Sequence, residues 1–388
     1  MNKIEENYFK YDKISNHQIN TNNQNLIKSI KSGNIPNLNS YSIVEDISTD
    51  KIVKILSSMS EKKSRALGCY MGMVIGDALG APLEFTDIDY NRKNKITHMQ
   101  NSCKFGLKAG QWTDDTSMGL CLTDSILINQ KFNPHDVMLR YLAWWNCGYN
   151  NAFRYDYTNK LKHSVGLGGN ISGSLKKFIE TGIDYTQCGD SNTSGNGSIM
   201  RNAPIPVAYN NNPTKAIEIA HFQSKCTHQG DEASECSRIL TWICVGWIND
   251  NKLSLKKILS TYKPLVLNSN ICKLLSSSNS SDFNWSDKNF KYNESRATSQ
   301  PDYIGSYSTD CLAMALHIIE HTTNFFEALV RAINLGGDAD SLGSVVGQLA
   351  GAKYGYNSIP IQWIQSVNYW DSNTILFRAH LLYESKFD

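Results

Sequence analysis

The chain has 388 residues, of which 38 are lysine or arginine and 36 are aspartate or glutamate, so its formal net charge is +2. Hydrophobic residues make up 41% of it, which is enough for a substantial core and excludes wholesale disorder. The near-neutral charge argues against a nucleic-acid-binding domain, which would show a basic face or a high pI. A small anionic ligand is compatible with this charge, because a single loop can bind it.

The first stretch, residues 1–57, is rich in Asn, Ile, Ser and Lys and lacks a helical or strand period, so we treat it as an N-terminal extension of unknown order. Its opening residues lack the basic-then-apolar profile of a secretory signal. No run of about 18 apolar residues occurs, so no membrane span is predicted. The 10 cysteines form no CxxC pair, which favours reduced, buried thiols. We therefore expect an intracellular, cytoplasmic protein.

Residues 58–388 are predicted to form a single all-α domain. Ser58 and Glu61 have the spacing of a capping box, which favours a helix start there. A polar stretch at 268–301 is interpreted as an insertion over one face. Alternating strand patterns are scarce. Helical spacing of apolar residues is found in seven segments: RALGCYMGMVIGDALG, SMGLCLTDSILIN, PTKAIEIAHFQSKC, ASECSRILTWICVGWI, DCLAMALHIIE, NFFEALVRAINLG and DSLGSVVGQLAGAKYG.

Two of these segments carry glycines four residues apart, which makes a flat strip along one helix face where another backbone can approach. An interior glycine costs a helix about 0.5–1 kcal/mol relative to alanine, so the strips indicate a packing role. We expect two buried helices in close contact with each other or with their neighbours. The strips consist of Gly68, Gly72, Gly76 and Gly80, and of Gly343, Gly347, Gly351 and Gly355.

Two short acidic motifs, TDDT at 113–116 and GGDADS at 336–341, stand at the starts of predicted helices. Helix capping explains one aspartate per helix but explains the second one poorly. If the motifs share a site, four carboxylates converge, and their repulsion has to be offset by protons or by cations. Carboxylates and hydroxyls without His or Cys are the ligands of hard ions such as Mg²⁺ or Mn²⁺. Two clusters indicate two metal ions.

Five segments, in this order, resemble the ADP-ribosylglycohydrolases related to dinitrogenase-reductase-activating glycohydrolase: GCYMGMVIGDALGAPLEF, GQWTDDTS, GNGSIMRNAPIP, CTHQGDEA and NLGGDADSLGSVVGQLAGAKYG. They span most of the body but neither the extension nor the insertion. The resemblance implies a compact orthogonal helical bundle, a monomer, with a binuclear Mg²⁺ or Mn²⁺ centre. It also implies hydrolysis of the bond between ADP-ribose and a modified protein side chain or small acceptor. The acceptor linkage stays open between arginine, serine and small molecules.

The resemblance implies a metal-ligand set in which Ser341 stands where the family usually has threonine. Glu84 matches a glutamate that faces the metals in some members, and its alternative is a surface carboxylate after a helix. Glu84 and Asp115 are the candidates for proton handling during cleavage at the ribose anomeric carbon. The implied metal ligands are Thr113, Asp114, Asp115, Asp338, Asp340 and Ser341.

The GNG tripeptide at 195–197 is interpreted as a diphosphate cradle, because glycines let backbone N–H groups approach phosphates. Arg201 pairs either with phosphate or with a local carboxylate. The candidate ligand-binding residues are Gly166, Gly168, Thr193, Ser194, Gly195, Asn196, Gly197, Ser198, Met200 and His228. Two other functions stay open: a non-catalytic ADP-ribose-binding protein of the same fold, and a binuclear-metal phosphohydrolase.

Overall fold

The structure, a computed structural model, describes residues 47–387 apart from 103, 161, 191, 278–281 and 297–304. Within this part, fifteen α-helices are connected by loops and 3-10 turns, and extended pairing is limited to isolated bridges. The all-α prediction is confirmed. The helices are α1 Thr49–Ser57, α2 Glu61–Gly80, α3 Asp114–Asn129, α4 Pro134–Cys147, α5 Gly169–Thr181, α6 Pro204–Ala208, α7 Pro213–Lys225, α8 Asp231–Asn249, α9 Leu255–Thr261, α10 Ser269–Ser276, α11 Ser308–Glu320, α12 Phe325–Ile333, α13 Ala339–Tyr354, α14 Ile361–Asp371 and α15 Thr374–Glu384.

Each of the seven predicted segments overlaps a helix, although the one at 324–336 continues beyond the end of α12 at Ile333, and eight further helices of the described residues lie outside the segments. The predicted capping box is wrong by two residues: Ser60 caps α2, since its side chain accepts a hydrogen bond from the Lys63 amide. Ser58 instead ends α1, where its hydroxyl donates to the Lys54 carbonyl at 2.9 Å. The cause is α1 itself, which lies in the extension and buries Ile52 and Ile55.

The two glycine strips face each other in the centre of the molecule. A Cβ added at Gly72 would lie 1.9 Å from the Gly347 carbonyl oxygen, and one added at Gly76 would lie 1.9 Å from that of Gly343. The paired numbers rise on α2 while they fall on α13, so the two helices are antiparallel. Both are buried over nearly their whole length. The predicted close contact between two buried helices is confirmed.

One helical segment, Glu61–Leu83, is long and apolar enough to cross a membrane by length and composition. Its most apolar window is 94% buried by the rest of the protein, as in a core helix.

The insertion contributes to the core in its described parts, 268–277 and 282–296. Ile271 and Leu274 on α10 are fully buried, and so are Phe283 and Trp285. The Trp285 indole N–H donates to the Leu274 carbonyl at 2.7 Å, which ties the two parts together. This segment therefore packs against the body, a property that its polar composition does not indicate.

Candidate metal and ligand-binding site

The antiparallel contact of α2 with α13 places the end of one helix beside the start of the other. A Cβ added at Gly80 would lie 2.3 Å from the Ala339 carbonyl oxygen. The acidic motif that starts α13 therefore lies beside the carboxyl end of α2. Asp77 is on the last turn of α2, and Glu84 follows the 3-10 turn after it.

Asp77 joins the start of α3 to this pair of helices. Its carboxylate accepts hydrogen bonds from the backbone N–H groups of Thr113 at 3.0 Å and Thr116 at 2.9 Å. These are orphan donors at a helix start, so Asp77 caps α3 from outside. The side chain at the α3 N-cap, Thr113, makes no capping bond, and neither does Asp338 at the N-cap of α13. The side chains at the two N-cap positions thus do not cap their helices, although Asp340 Oδ1 accepts from the Ser341 amide at 2.9 Å in the first turn of α13.

The two motifs converge, as the sequence predicts. Buried carboxylate oxygens form two groups, Asp77 with Asp115 and Asp340, and Glu84 with Asp338 and Asp340. Within each group the oxygens lie within 4.8 Å of one another, and Asp340 belongs to both.

Two hydroxyls bridge the clustered carboxylates. The Thr113 hydroxyl lies 2.8 Å from Asp77 Oδ1 and 3.2 Å from Asp340 Oδ2. The Ser341 hydroxyl donates to Asp115 Oδ1 at 3.2 Å. Ser341 therefore keeps a contact with the cluster in the place where the resembled family has threonine.

The ionised form of the clustered carboxylates is strongly disfavoured when no cation is bound. Burial, and then the charges of neighbouring carboxylates, raise the pKa of Asp114, Asp115 and Asp340 well above the usual range. Burial and the charges of Asp340 and Asp338 also raise the pKa of Glu84. Among the described residues, no lysine or arginine pairs with any carboxylate of the cluster.

Two buried oxygens of the cluster, Glu84 Oε2 and Asp115 Oδ2, have no hydrogen-bond partner in the part of the chain that the structure describes. Buried charges without partners are costly, and a cation among them removes both the repulsion and the unmet bonding capacity. The donors are carboxylate and hydroxyl oxygens, which suit hard divalent ions. The residues present therefore fit one or two such ions.

A cavity of about 480 Å³ opens onto the cluster. Its acidic wall is formed by Glu84, Asp114, Asp338, Asp340 and Ser341. Thr113 and Asp115 are buried and do not line it. The remaining lining includes the segments 166–171 and 195–197, with Met200 and His228. Seven predicted ligand residues therefore share one cavity with four of the six predicted metal ligands: Gly166, Gly168, Gly195, Asn196, Gly197, Met200 and His228.

The N-terminus of α5 forms part of the cavity lining. Gly168 at its N-cap makes no side-chain capping bond, and a Cβ at Gly168 or Gly169 would meet nothing within 4 Å. Uncapped N–H groups at a helix start favour an anion. Gly166 has φ +88°, and a Cβ there would lie 2.0 Å from Asp114 Oδ1, so only glycine allows this loop to approach Asp114 so closely.

The GNG segment lies between the cluster and His228. The Asn196 side-chain amide donates to Asp338 Oδ2 at 2.8 Å and to the Gly305 carbonyl at 3.2 Å. A Cβ added at Gly197 would lie 3.0 Å from His228 Cε1. Gly197 thus lets the backbone pass directly beside the imidazole, while the Asn196 backbone N–H donates to the Ser306 carbonyl at 2.7 Å.

Three predicted ligand hydroxyls are engaged away from the cavity. Thr193 bonds to the Asp190 amide, Ser194 accepts from the Ala233 amide, and Ser198 lies beside two other serine hydroxyls. None of the three lines the cavity. Arg201 is also fully buried and donates to Gln223 and Thr227, so it pairs with neither of the groups expected from the sequence.

Phe85 marks the rim of the cavity. It has φ +60°, an uncommon conformation for a bulky residue, and its amide donates to the Gly337 carbonyl at 2.7 Å. Gly337 in turn donates to the Thr86 carbonyl at 2.8 Å. These bonds hold the Glu84–Thr86 turn beside the α13 motif, which keeps Glu84 next to Asp338.

Sequence reasoning missed Asp77 and the helix α5. The sequence signal for a role of Asp77 is its position: a charged residue is unusual inside an apolar helix that the glycine strip predicts to be buried. α5 places Ile171, Leu175 and Phe178 on one buried face at helical spacing, but glycine, serine and asparagine in its first half lower its helix propensity.

The fold and site define an all-α protein with an oxygen-rich candidate metal centre at the wall of a ligand cavity. The family model of ADP-ribosylglycohydrolase matches residues 58–385. The chain therefore belongs to the ADP-ribosylglycohydrolase family.

Individual relatives agree with this assignment. The chain is 31% identical to ADP-ribosylarginine hydrolase Tri1 of Pseudomonas putida, over 78% of this chain and 74% of the relative. It is 24% identical to ADP-ribosyl-[dinitrogen reductase] glycohydrolase of Rhodospirillum rubrum, over 78% and 90% respectively. A solved structure described as an ADP-ribosylglycohydrolase-related protein complex superposes with a TM-score of 0.66 at 28% identity, covering 84% of this chain and 99% of that one.

Proposed function

We propose that the protein removes ADP-ribose from a modified arginine side chain, with Mg²⁺ or Mn²⁺ held by the acidic cluster. The observation that carries this proposal is the composition of one cavity. Carboxylates without a counter-cation line it together with an uncapped helix start and a glycine cradle. The first set suits divalent ions and the second suits a diphosphate, and ADP-ribose needs both kinds of contact.

The cluster residues divide into holding and reacting groups. Asp77, Asp115, Asp338 and Asp340, with Thr113 and Ser341 beside them, would hold the ions. When bound, the ions would supply charge stabilisation to the ribose hydroxyls or to the attacking water. Asp115 is buried away from the cavity, and one of its oxygens accepts from Ser341, so it is better placed to ligate than to exchange protons with substrate.

Glu84 is the better candidate for proton handling, because it is partly exposed and lines the cavity. Cleavage breaks the bond between the ribose anomeric carbon and the acceptor nitrogen through an oxocarbenium-like state. A water oxygen bonds to that carbon, and its proton passes by way of a carboxylate to the departing nitrogen. The N-terminus of α5 and the segment 195–197 would position the diphosphate during this step.

Arginine is proposed as the acceptor because the relative that is 31% identical carries the name ADP-ribosylarginine hydrolase. Serine-linked and small-molecule acceptors are the competitors within the same chemistry. The phosphohydrolase alternative would release inorganic phosphate, and the binding alternative would release nothing.

These alternatives separate in one product analysis. Peptides carrying ADP-ribose on arginine, peptides carrying it on serine, and free ADP-ribose are each incubated with protein and Mg²⁺ or Mn²⁺, and the products are identified by mass spectrometry. We expect ADP-ribose and unmodified arginine peptide. Faster cleavage of the serine peptide would contradict the proposal that arginine is the acceptor. Phosphate release, or tight ADP-ribose binding without cleavage of any peptide, would contradict the proposed removal of ADP-ribose from an acceptor.

A further inference from the structure

A chain of buried hydrogen bonds leads from Arg201 to the cavity. The Arg201 Nη2 atom lies 2.6 Å from the Thr227 hydroxyl oxygen, and that oxygen lies 2.8 Å from His228 Nδ1. Arg201 and Thr227 are fully buried, and His228 is 1% exposed. Further contacts fix the guanidinium: it stacks on the Tyr141 ring, its Nε donates to the Gln223 side chain, and its Nη2 donates to the Gln223 carbonyl.

The direction of each bond in this chain follows from the chemistry of the groups. A guanidinium has only donors, so the Thr227 oxygen accepts from Arg201. Among the described residues, His228 Nδ1 is the other partner of the hydroxyl, at 2.8 Å. If Nδ1 carried a hydrogen, the hydroxyl hydrogen would be left unpaired in a fully buried site, which is costly. Thr227 therefore donates to Nδ1, and Nδ1 is the acceptor.

The imidazole is neutral under ordinary conditions. Burial, with the positive charges of Arg201 and Lys225 nearby, lowers the pKa of His228 to about 3. A neutral ring carries one N–H, and with Nδ1 accepting, that hydrogen belongs to Nε2. Nε2 faces the glycine cradle, since a Cβ added at Gly197 would lie 3.2 Å from it and one added at Gly195 would lie 3.5 Å from it.

We infer that Thr227, oriented by Arg201, is a positioning residue that fixes His228 as the Nε2–H tautomer, so that the imidazole presents a neutral donor to an oxygen of the bound diphosphate or its ribose. The ligand half of this inference rests on the proposed function, whereas the tautomer half does not. Arg201 thus acts on the ligand through two intervening side chains, which accounts for its burial away from the cavity.

The test uses full-length protein labelled with ¹⁵N-histidine, in which His228 is assigned by comparison with His228→Gln. Nitrogen chemical shifts distinguish a protonated Nε2 from a protonated Nδ1. ADP-ribose affinity is measured in parallel by calorimetry at fixed Mg²⁺ for the wild type, Thr227→Val and Thr227→Ser. Valine removes the hydroxyl at nearly constant shape, and serine restores it. Thermal unfolding monitors whether each variant is folded.

For the wild type and Thr227→Ser we expect the Nε2–H tautomer. For Thr227→Val we expect Nδ1–H or a mixture, with ADP-ribose affinity roughly tenfold lower, the value of one lost hydrogen bond. An Nδ1–H tautomer in the wild type would overturn the inference, and so would an unchanged tautomer or unchanged affinity in Thr227→Val. If the wild type failed to bind ADP-ribose, the proposed function would be contradicted, and so would the inferred contact of His228 with the ligand. The nitrogen chemical shifts would still decide which tautomer His228 adopts.

Discussion

Glu84 differs from the other carboxylates of the cluster in the way the backbone presents it. It follows a 3-10 turn rather than starting a helix, and its carboxyl lies between the buried cluster and the cavity. The Phe85 amide, directly after Glu84, donates to the Gly337 carbonyl and so holds the turn in place. Its side chain can thus face both the held ions and a substrate, whereas Asp77 and Asp115 do not line the cavity.

The substitution Glu84→Gln tests this division of roles. It keeps the size of the side chain and removes its capacity to exchange a proton, so we expect kcat to fall by roughly 10²-fold or more while ADP-ribose still binds. Steady-state rates and calorimetric affinities provide the measurement. The matched change Asp340→Asn, at the residue shared by both carboxylate groups, should weaken ADP-ribose binding as well. A wild-type kcat in Glu84→Gln would contradict the role of Glu84 in proton transfer.

At the scale of single residues, the sequence predicts the cluster but not the residue that organises it. Helix capping explains the second aspartate in TDDT and in GGDADS poorly, so a shared site could be expected. Asp77 contributes one carboxylate from inside a helix, and nothing in the spacing says which N–H groups it meets. The same holds for Arg201, whose partners Gln223 and Thr227 lie more than twenty residues away.

At the scale of helices, the contact between α2 and α13 sets the position of the whole cluster. The glycine strips let the backbones touch, and this close approach brings Asp77 and Asp340 together. Packing defects at the strip should therefore appear both as lost stability and as lost activity, although none of the strip glycines lines the cavity.

We expect Gly72→Ala to lower the free energy of unfolding by roughly 3 kcal/mol, because its Cβ would lie 1.9 Å from the Gly347 carbonyl oxygen and overpacked cores relax poorly. Urea denaturation measures the change. The control Gly246→Ala is also within a helix, but its Cβ would meet only the Ile258 side chain at 3.1 Å or more, so its effect should stay within about 1 kcal/mol. Equal effects at both positions would contradict the special role of the strip.

The strips and the seven periodic helices could be predicted because a fixed spacing repeats along the chain. The core contribution of the insertion could not, since it depends on distant partners. The apolar residues of α5 do repeat at helical spacing, but the glycine, serine and asparagine residues in its first half obscure the pattern. Arg296, in the insertion, pairs with Asp310 on α11 at 2.7 Å, and this contact between two buried charges has no counterpart in local composition.

At the scale of the whole molecule, stability should depend on pH through His228. Burial depresses its pKa to about 3 in the folded protein, against about 6.5 for a free histidine. Below pH 6.5 the unfolded chain binds a proton that the folded chain does not, so the folded state loses about 1.4 kcal/mol per pH unit from this residue until pH approaches 3.

The comparison of the wild type with His228→Gln isolates this effect, because the titrating carboxylates are common to both proteins. Unfolding free energies from urea denaturation at pH 7, 6 and 5 should fall more steeply for the wild type than for the variant. Parallel pH profiles would show that the imidazole is protonated in the folded state, or accessible to solvent, contrary to its burial.

The most direct test of the central claim, that the acidic cluster holds the ions needed for ADP-ribose hydrolysis, is a metal-restoration measurement. Protein stripped with a chelator is given an ADP-ribosylated arginine peptide, and ADP-ribose release is followed while Mg²⁺ or Mn²⁺ is added back. We expect no release from the stripped protein, full recovery with added ion, and little recovery in Asp340→Asn at the same ion concentration. Release without metal, or full recovery in Asp340→Asn, would contradict the claim.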